Sequence, residues 1–191
     1  MSTKSTLAVK PGAVALMALM AATRFHHFGT PFALPDASLA VFFLAGLWLG
    51  GRYLFATLLV EAGVIDYLAI TKFGVSDFCV TKAYVFLIPA YAAMWLGGKW
   101  CRHFGELSLS SVLQQFGMLI TATSTAFLFS NGSFYWLSGR YVSPHWAQYV
   151  ERFSQYYPPY LTNAALYVLV IFAAVNAAKA ILADKSSQQT V

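Results

Sequence analysis

Apolar stretches long enough to form helices alternate with short polar connections along the whole chain. There are six of these stretches, which run roughly over residues 9–23, 37–50, 52–70, 83–98, 111–130 and 160–182. A helix needs about 20 mostly apolar residues to cross the hydrocarbon core of a bilayer. The pattern therefore predicts an all-α polytopic membrane protein, with a six-helix transmembrane bundle as a single domain over residues 1–191. Several stretches are short, which indicates tilted or partly buried helices.

The composition supports this interpretation. Hydrophobic residues make up 59% of the 191 residues and charged residues only 10%, whereas a soluble domain has about 25% charged residues. The net charge of +5 comes without a run of basic residues, so it indicates membrane orientation rather than nucleic-acid binding. The N-terminal segment resembles a signal peptide, but no small-residue cleavage site follows it, and we expect a retained first helix.

The charges of the connections predict an orientation. Of the 12 lysines and arginines, seven fall in the N-terminus, the connections after the second and fourth stretches, and the C-terminal tail. The other five fall in the remaining connections, so the positive-inside rule places both termini in the cytoplasm. Helix parity then puts the loops after the first, third and fifth helices on one outer face. The last of these, residues 131–159, is rich in aromatic residues and is predicted to be a long loop.

Two acidic residues interrupt the third apolar stretch. Glu61 lies near its middle, and Asp66 lies about one turn from its outer end. An ionisable side chain within a membrane costs about 2.5–3.5 kcal/mol on insertion scales, so both should face the protein interior or a water-filled cavity. Glu61 is best interpreted as a protonated or hydrogen-bonded structural residue. For Asp66, a structural role and ligand binding fit the sequence equally well.

The two cysteines fall on opposite faces if helix parity holds. Cys79 lies in the short outer loop FGVSDFCVTK, close to Asp77 and Lys82, and Cys101 lies in a basic inner loop. The two thiols cannot then pair, which argues against a thiol oxidoreductase that needs paired cysteines. A lone cysteine is usually a small apolar filler, but the polar surroundings of Cys79 make a thiolate plausible. A thiolate is a good ligand for a soft or borderline metal ion.

The first apolar stretch carries two further features. Ala18 and Ala22 form a small-xxx-small pair, which favours close helix packing, either within the bundle or against a second membrane protein. His26 and His27 follow at its outer end. Adjacent helical residues point about 100° apart, so only one of these histidines can easily reach a common ligand, and a structural role fits them equally well.

These features together resemble a known family. Six short helices, ligand-type loops on one face and an alanine-rich first helix resemble the substrate-binding S-components of energy-coupling-factor (ECF) vitamin transporters. More narrowly, RFHHFGTPFALPDASLAVFFLAGLWLG, with Asp66 and the Cys79 loop, resembles the BtuM family, solitary S-components for cobalamin. The resemblance covers essentially the whole chain. It implies that cobalamin or another corrinoid is the transported substrate, bound at the outer face of a bundle in the bacterial inner membrane, with no independent metal ion.

The resemblance also implies roles for individual residues. The family's loop cysteine, which is proposed to ligate cobalt, matches Cys79. The family's contacts to the corrinoid ring and its side chains match Asp66, Tyr84 and Arg152, with His27 near the pocket.

The family's alanine motif for docking an energy-coupling membrane subunit, which works with ATPases, matches Ala18 and Ala22 only loosely.

A thiolate at Cys79 has a chemical consequence. It donates electron density to Co(III) and weakens the bond trans to it, so slow removal of cyanide from cyanocobalamin is as consistent with the sequence as binding with cyanide retained. The protein is therefore expected to be primarily a transporter, with decyanation as a second activity in which Cys79 is catalytic. The alternatives are an S-component for another vitamin and a membrane thiol enzyme acting at Cys79.

Overall fold

The structure is a computed structural model that describes residues 10–25, 34–104 and 108–188, with only the backbone for residues 183–188. It contains six helices and, within these ranges, no β-strand. The helices are α1 (Pro11–Arg24), α2 (Ser38–Trp48), α3 (Arg52–Phe73), α4 (Leu87–Cys101), α5 (Leu109–Leu137) and α6 (Trp146–Gln188). The all-α class predicted from the hydrophobic pattern is confirmed.

The fifth and sixth helices are longer than their apolar stretches. A π-helical turn, Leu128–Gly132, continues α5 beyond its regular α-helical part, and α6 begins at Trp146 rather than near residue 160. Only residues 138–145 connect the two helices, so the prediction of a long loop over residues 131–159 is wrong. Pro158 and Pro159 lie inside α6 and do not end it. Membrane helices tolerate proline where neighbouring groups satisfy the backbone that it frees.

Three of the described helices are long and apolar enough to cross a membrane, namely α3, α5 and the Trp146–Leu182 part of α6. The other three are shorter, with 14 residues in α1, 11 in α2 and 15 in α4. At 1.5 Å per residue they measure about 21, 17 and 23 Å, which is less than the hydrocarbon thickness of about 30 Å. The helical composition is consistent with a membrane protein.

The short helix α2 lies at the centre of the molecule. Every residue from 40 to 46 is buried, and α2 packs against α1, α3, α4 and α6. The ring of Phe42 stacks on that of Tyr91 of α4, with 4.3 Å between the ring centroids. A helix that is apolar on all sides is expected in a protein core. Protein rather than lipid therefore surrounds α2.

Glycines allow α2 and α4 to pack at short range. A Cβ atom on Gly98 would overlap the carbonyl oxygen of Phe43, and one on Gly46 would overlap that of Trp95. At the end of α2, Arg102 donates hydrogen bonds from Nε to the carbonyl oxygens of Gly46 and Leu47, both at 3.0 Å. A cation at a helix C-terminus satisfies carbonyl groups that have no helical partner. These contacts fix α4 against α2. The helix α4 begins near Cys79 and runs to the opposite end of the bundle.

Candidate functional site

The outer-face residues predicted from the sequence meet at one end of the bundle. At this end α1, α3 and α5 finish, and α2, α4 and α6 begin. Cys79 lies in the loop ahead of a short 3₁₀ helix, Lys82–Phe86, that leads into α4. Its side chain is exposed, whereas Cys101, the last residue of α4, is buried. The two free thiols thus lie near opposite ends of one helix, as the parity argument predicts.

A buried arginine is the centre of this end. The Arg24 side chain is only 1% exposed and donates to both carboxylate oxygens of Asp66, at 2.8 and 2.7 Å. Its Nη1 atom donates to the hydroxyl groups of Tyr91 and Ser38, at 2.6 and 2.8 Å, and to Asp36 at 3.3 Å. A buried cation is costly unless it is paired and hydrogen-bonded. Partners from α2, α3, α4 and the segment before α2 satisfy that requirement here.

Two of the predicted substrate contacts bind each other. The hydroxyl group of Tyr84 donates a hydrogen bond to Oδ2 of Asp66. Asp66 is buried, and its oxygens also accept from Arg24, so it holds α1 and α3 together in this structure. Tyr84 is half-buried and lies closer to the surface. The structural role of Asp66, which the sequence left open, is therefore established by these contacts.

Cys79 lies beside the connection between α5 and α6. The Arg140 guanidinium carbon is 4.8 Å from the ring centroid of Phe78, the neighbour of Cys79. Cys79 is exposed overall, but one side of the thiol lies against protein. This partial burial is the main cause that raises the pKa of Cys79, Arg140 lowers the pKa, and the Asp66 carboxylate raises it further. In the sequence, the polar neighbours of Cys79 made a thiolate plausible. The surroundings instead favour the neutral thiol in the substrate-free protein.

Arg152 of α6 faces the same region. Its guanidinium carbon lies 4.9 Å from the ring centroid of Tyr141 and 4.7 Å from that of Tyr156. Its Nε atom is buried and has no hydrogen-bond partner within the described ranges. Burial raises the pKa of Tyr141, while Arg152 lowers it and Cys79 raises it further. Arg152 and Tyr141 are therefore in contact, Tyr141 directly follows Arg140, which packs on Phe78 next to Cys79, and the Arg152 Nε–H group is available to an acceptor.

Aromatic contacts hold the two loops against each other. Phe78 contacts Phe134, with 5.7 Å between ring centroids, and Phe134 contacts Tyr141 at 6.3 Å. The buried hydroxyl of Tyr135 accepts a hydrogen bond from the backbone N–H of His145 at 2.8 Å, which fixes the α5–α6 connection. We call the surface formed by Phe78, Cys79, Arg140, Tyr141 and Arg152 the Cys79 face.

A lateral cleft of about 540 Å³ lies between α3 and α4, within the range of about 300–1,000 Å³ that is typical of small-molecule sites. Apolar side chains line most of it, including Val60, Val85 and Ile88, and Arg24 and Tyr84 lie at its inner end. Both of these polar side chains are hydrogen-bonded to Asp66. The cleft therefore presents a mainly apolar surface, with the exposed Lys82 as a further polar group on its wall.

The remaining predicted residues have separate positions. His27 lies outside the described residues. Ala18 and Ala22 are both exposed on α1, so no other described helix covers this pair.

Sequence reasoning missed Arg24 and Arg140, which it counted only as loop charges. Arg24 had a detectable signal, because an arginine that closes an apolar helix needs an acidic partner at the same depth, and Asp66 lies at the matching end of α3. Arg140 had no comparable signal, since its position depends on the conformation of the α5–α6 connection.

Comparison with known proteins adds no family to this description, because neither a protein-family model nor a curated protein matches the chain.

Proposed function

We propose that the chain binds a corrinoid, most simply cobalamin, on the Cys79 face and takes it up across the bacterial inner membrane. In this proposal the six helices form a transmembrane bundle of the ECF S-component type, with the Cys79 face in the periplasm and both termini in the cytoplasm. The observation that carries the proposal is an exposed thiol framed by arginine and aromatic side chains. The resemblance to the BtuM family is consistent with it.

The chemistry of a corrinoid suits these side chains. The substrate has a large flat ring with amide groups around its edge, so aromatic rings pack on its faces and guanidinium groups donate to its amide oxygens. Arg152 is suited to this role because its buried Nε–H group has no partner among the described residues, and an unsatisfied buried donor is unfavourable. Tyr84 and Asp66 serve as further contacts if an amide replaces the hydrogen bond that joins them. His27 is proposed to lie near the bound ring.

Cys79 supplies the axial ligand for the cobalt of the substrate. Because its pKa is raised, the thiol stays protonated until the substrate arrives. Binding to cobalt favours the deprotonated sulfur, so the proton leaves as the cobalt–sulfur bond forms. The thiolate then displaces the nucleotide base of the vitamin. The raised pKa also disfavours the alternative of a thiol enzyme at neutral pH, because the thiolate is the nucleophile.

Decyanation follows from the same ligand. The thiolate weakens the bond between cobalt and cyanide on the opposite face of the ring, and cyanide leaves with the bonding electron pair. Cobalt remains Co(III), and water occupies the vacated position. The protein is then a transporter with a slow chemical activity at Cys79.

The energising partner is proposed to dock on α1. The exposed pair Ala18 and Ala22 gives a surface on which a helix of an energy-coupling membrane subunit packs closely. ATPases bound to that subunit would then drive transport.

The experiment is a visible absorption titration of the purified protein with cyanocobalamin, followed by an assay for free cyanide. Wild-type protein should bind the corrinoid, change its spectrum and release cyanide over time. Cys79→Ser and Cys79→Ala should lose the spectral change and release little cyanide. Cys101→Ser is the matched control, because that thiol lies near the other end of α4, and it should behave as wild type.

The outcomes separate the alternatives. Identical spectra for wild type and Cys79→Ala would reject cobalt ligation. An unchanged corrinoid spectrum combined with no binding would reject cobalamin as the substrate. Binding with cyanide retained would reject decyanation and leave the transport role in place.

A further inference from the structure

The helix α3 carries a second carboxyl group that the Cys79 face does not use. Glu61 lies near the middle of α3, whereas Asp66 lies five residues later, which is about 7.5 Å farther along the helix axis. The Oε2 atom of Glu61 is buried and has no hydrogen-bond partner within the described ranges. Asp66, in contrast, is bonded to Arg24 and Tyr84. Of the two acidic side chains of α3, Asp66 is therefore paired with a cation, whereas Oε2 of Glu61 has no hydrogen-bond partner among the described residues.

The helices around Glu61 offer no cation at its level. α3 packs against α1 and α2, and it faces α4 across the lateral cleft, whose titratable lining residues besides Arg24 are Lys82, Tyr84 and Tyr91. Glu61 is not among the residues that line this cleft. The charged side chain of α1 is Arg24, which binds Asp66 near the outer end, and α2 has no titratable residue. On α3 itself the basic side chains are Arg52 and Lys72 near the two ends, and the other titratable ones, the exposed Tyr53 and Tyr67, lie more than one turn away.

Glu61 lies on the boundary between the bundle interior and its outer surface. One turn before and one turn after it, Leu58 and Ile65 are buried, whereas Thr57 and Val64, on the other side, are exposed. In a membrane that outer surface meets lipid, which solvates a carboxylate poorly. A charged carboxylate there has no cation of the described helices beside it and is poorly solvated on the lipid side, so the neutral acid has the lower free energy.

We propose that Glu61 is a proton-binding site inside the membrane. Its carboxyl group holds a proton while α3 is packed against α1, as in this structure. Proton binding at Glu61 needs no corrinoid, so this proposal stands or fails independently of the proposed function.

The test uses dicyclohexylcarbodiimide, a lipid-soluble reagent that adds to protonated carboxyl groups and ends as a stable N-acylurea. The purified protein in lipid vesicles is treated without cobalamin, and the modified residues are found by mass spectrometry. Glu61 should be labelled, because it is protonated and borders on lipid. Above the midpoint of its titration, labelling should fall about tenfold for each unit of pH.

The matched control is Glu151, an exposed carboxyl group at the start of α6. The lipid-soluble reagent should label it little, whereas a water-soluble carbodiimide with an added amine should label it well. Glu61→Gln should remove the lipid-soluble labelling, and Glu151→Gln should leave it unchanged. Equal labelling of both residues by the lipid-soluble reagent would overturn the proposal.

Infrared difference spectroscopy gives a second and independent measurement. The spectrum of wild type minus that of Glu61→Gln, at neutral pH, should contain the carbonyl stretch of a protonated carboxylic acid, and this band should shift slowly in heavy water. A carboxylate stretch in its place would show that Glu61 is charged, and the proposed proton site would be rejected.

Discussion

At the scale of single residues, the candidate end of the molecule depends on how its buried charges are paired. The sequence predicted that Asp66 needs a polar environment, because a carboxyl group in an apolar helix is costly. It did not identify Arg24 as the partner, since the pairing joins α1 to α3 and depends on their packing. The positions of Cys79 and Arg152 on one end were predicted from helix parity. The position of Tyr141 between them could not be predicted, because it depends on the conformation of the connection between α5 and α6.

The pairing of Arg24 leads to a stability prediction. Arg24→Met should lower the free energy of unfolding by about 3–5 kcal/mol, because it removes the guanidinium group that is paired with the buried Asp66 carboxylate. The double substitution Arg24→Met with Asp66→Leu should recover much of this loss, since it removes both buried charges. Thermal unfolding of the purified protein in one detergent measures both changes.

The control for this prediction is Arg52→Met. Arg52 is exposed and contacts the ring of its neighbour Tyr53, so the expected change is within about 0.5 kcal/mol. If Arg24→Met is as stable as Arg52→Met, the buried network does not hold the helices together.

At the scale of helices, hydropathy located every element but not every boundary. The apolar stretches predicted α1 to α4 to within a few residues. Hydropathy did not predict the extension of α5 through a π-helical turn. It also did not predict the early start of α6, because the residues there are polar and aromatic and two prolines follow. It also did not predict that α2 is central, since a fully apolar segment is expected both in lipid and in a protein core.

The close contact of α2 with α4 leads to a prediction about glycine. Gly98→Ala should destabilise the protein by about 1–3 kcal/mol or more, because the added methyl group overlaps the backbone of α2 at Phe43 and the helices must separate. Gly117→Ala in α5 is the matched control, because nothing lies within 4 Å of the added Cβ atom. Alanine is the better helix former, so the control should be neutral or stabilised by up to about 1 kcal/mol.

Thermal unfolding in the same detergent compares the two substitutions. Equal stability of Gly98→Ala and Gly117→Ala would contradict the close packing of α2 and α4. A gain for Gly117→Ala together with a loss for Gly98→Ala is the expected pattern.

At the scale of the whole molecule, the chain has two chemically different ends. One end carries the Cys79 face and the Arg24 network, and the other carries Arg102 at the end of α2, together with the buried Cys101. Alternating helix direction was predictable from the count of apolar stretches. The sequence did not predict which helices cross the membrane, because α1, α2 and α4 are short and α2 is surrounded by protein. Packing, rather than the hydropathy of single segments, decides how such helices are placed.

The last prediction concerns the orientation of these two ends. Because the basic residues are more frequent at the Arg102 end, the positive-inside rule places that end in the cytoplasm and the Cys79 face in the periplasm. In a background of Cys79→Ser and Cys101→Ser, Ser138→Cys should react with a membrane-impermeant maleimide in intact spheroplasts. His103→Cys, an exposed position next to Arg102, should react only after lysis. The reverse pattern would invert the topology, and reaction of both cysteines in intact spheroplasts would contradict helix parity itself.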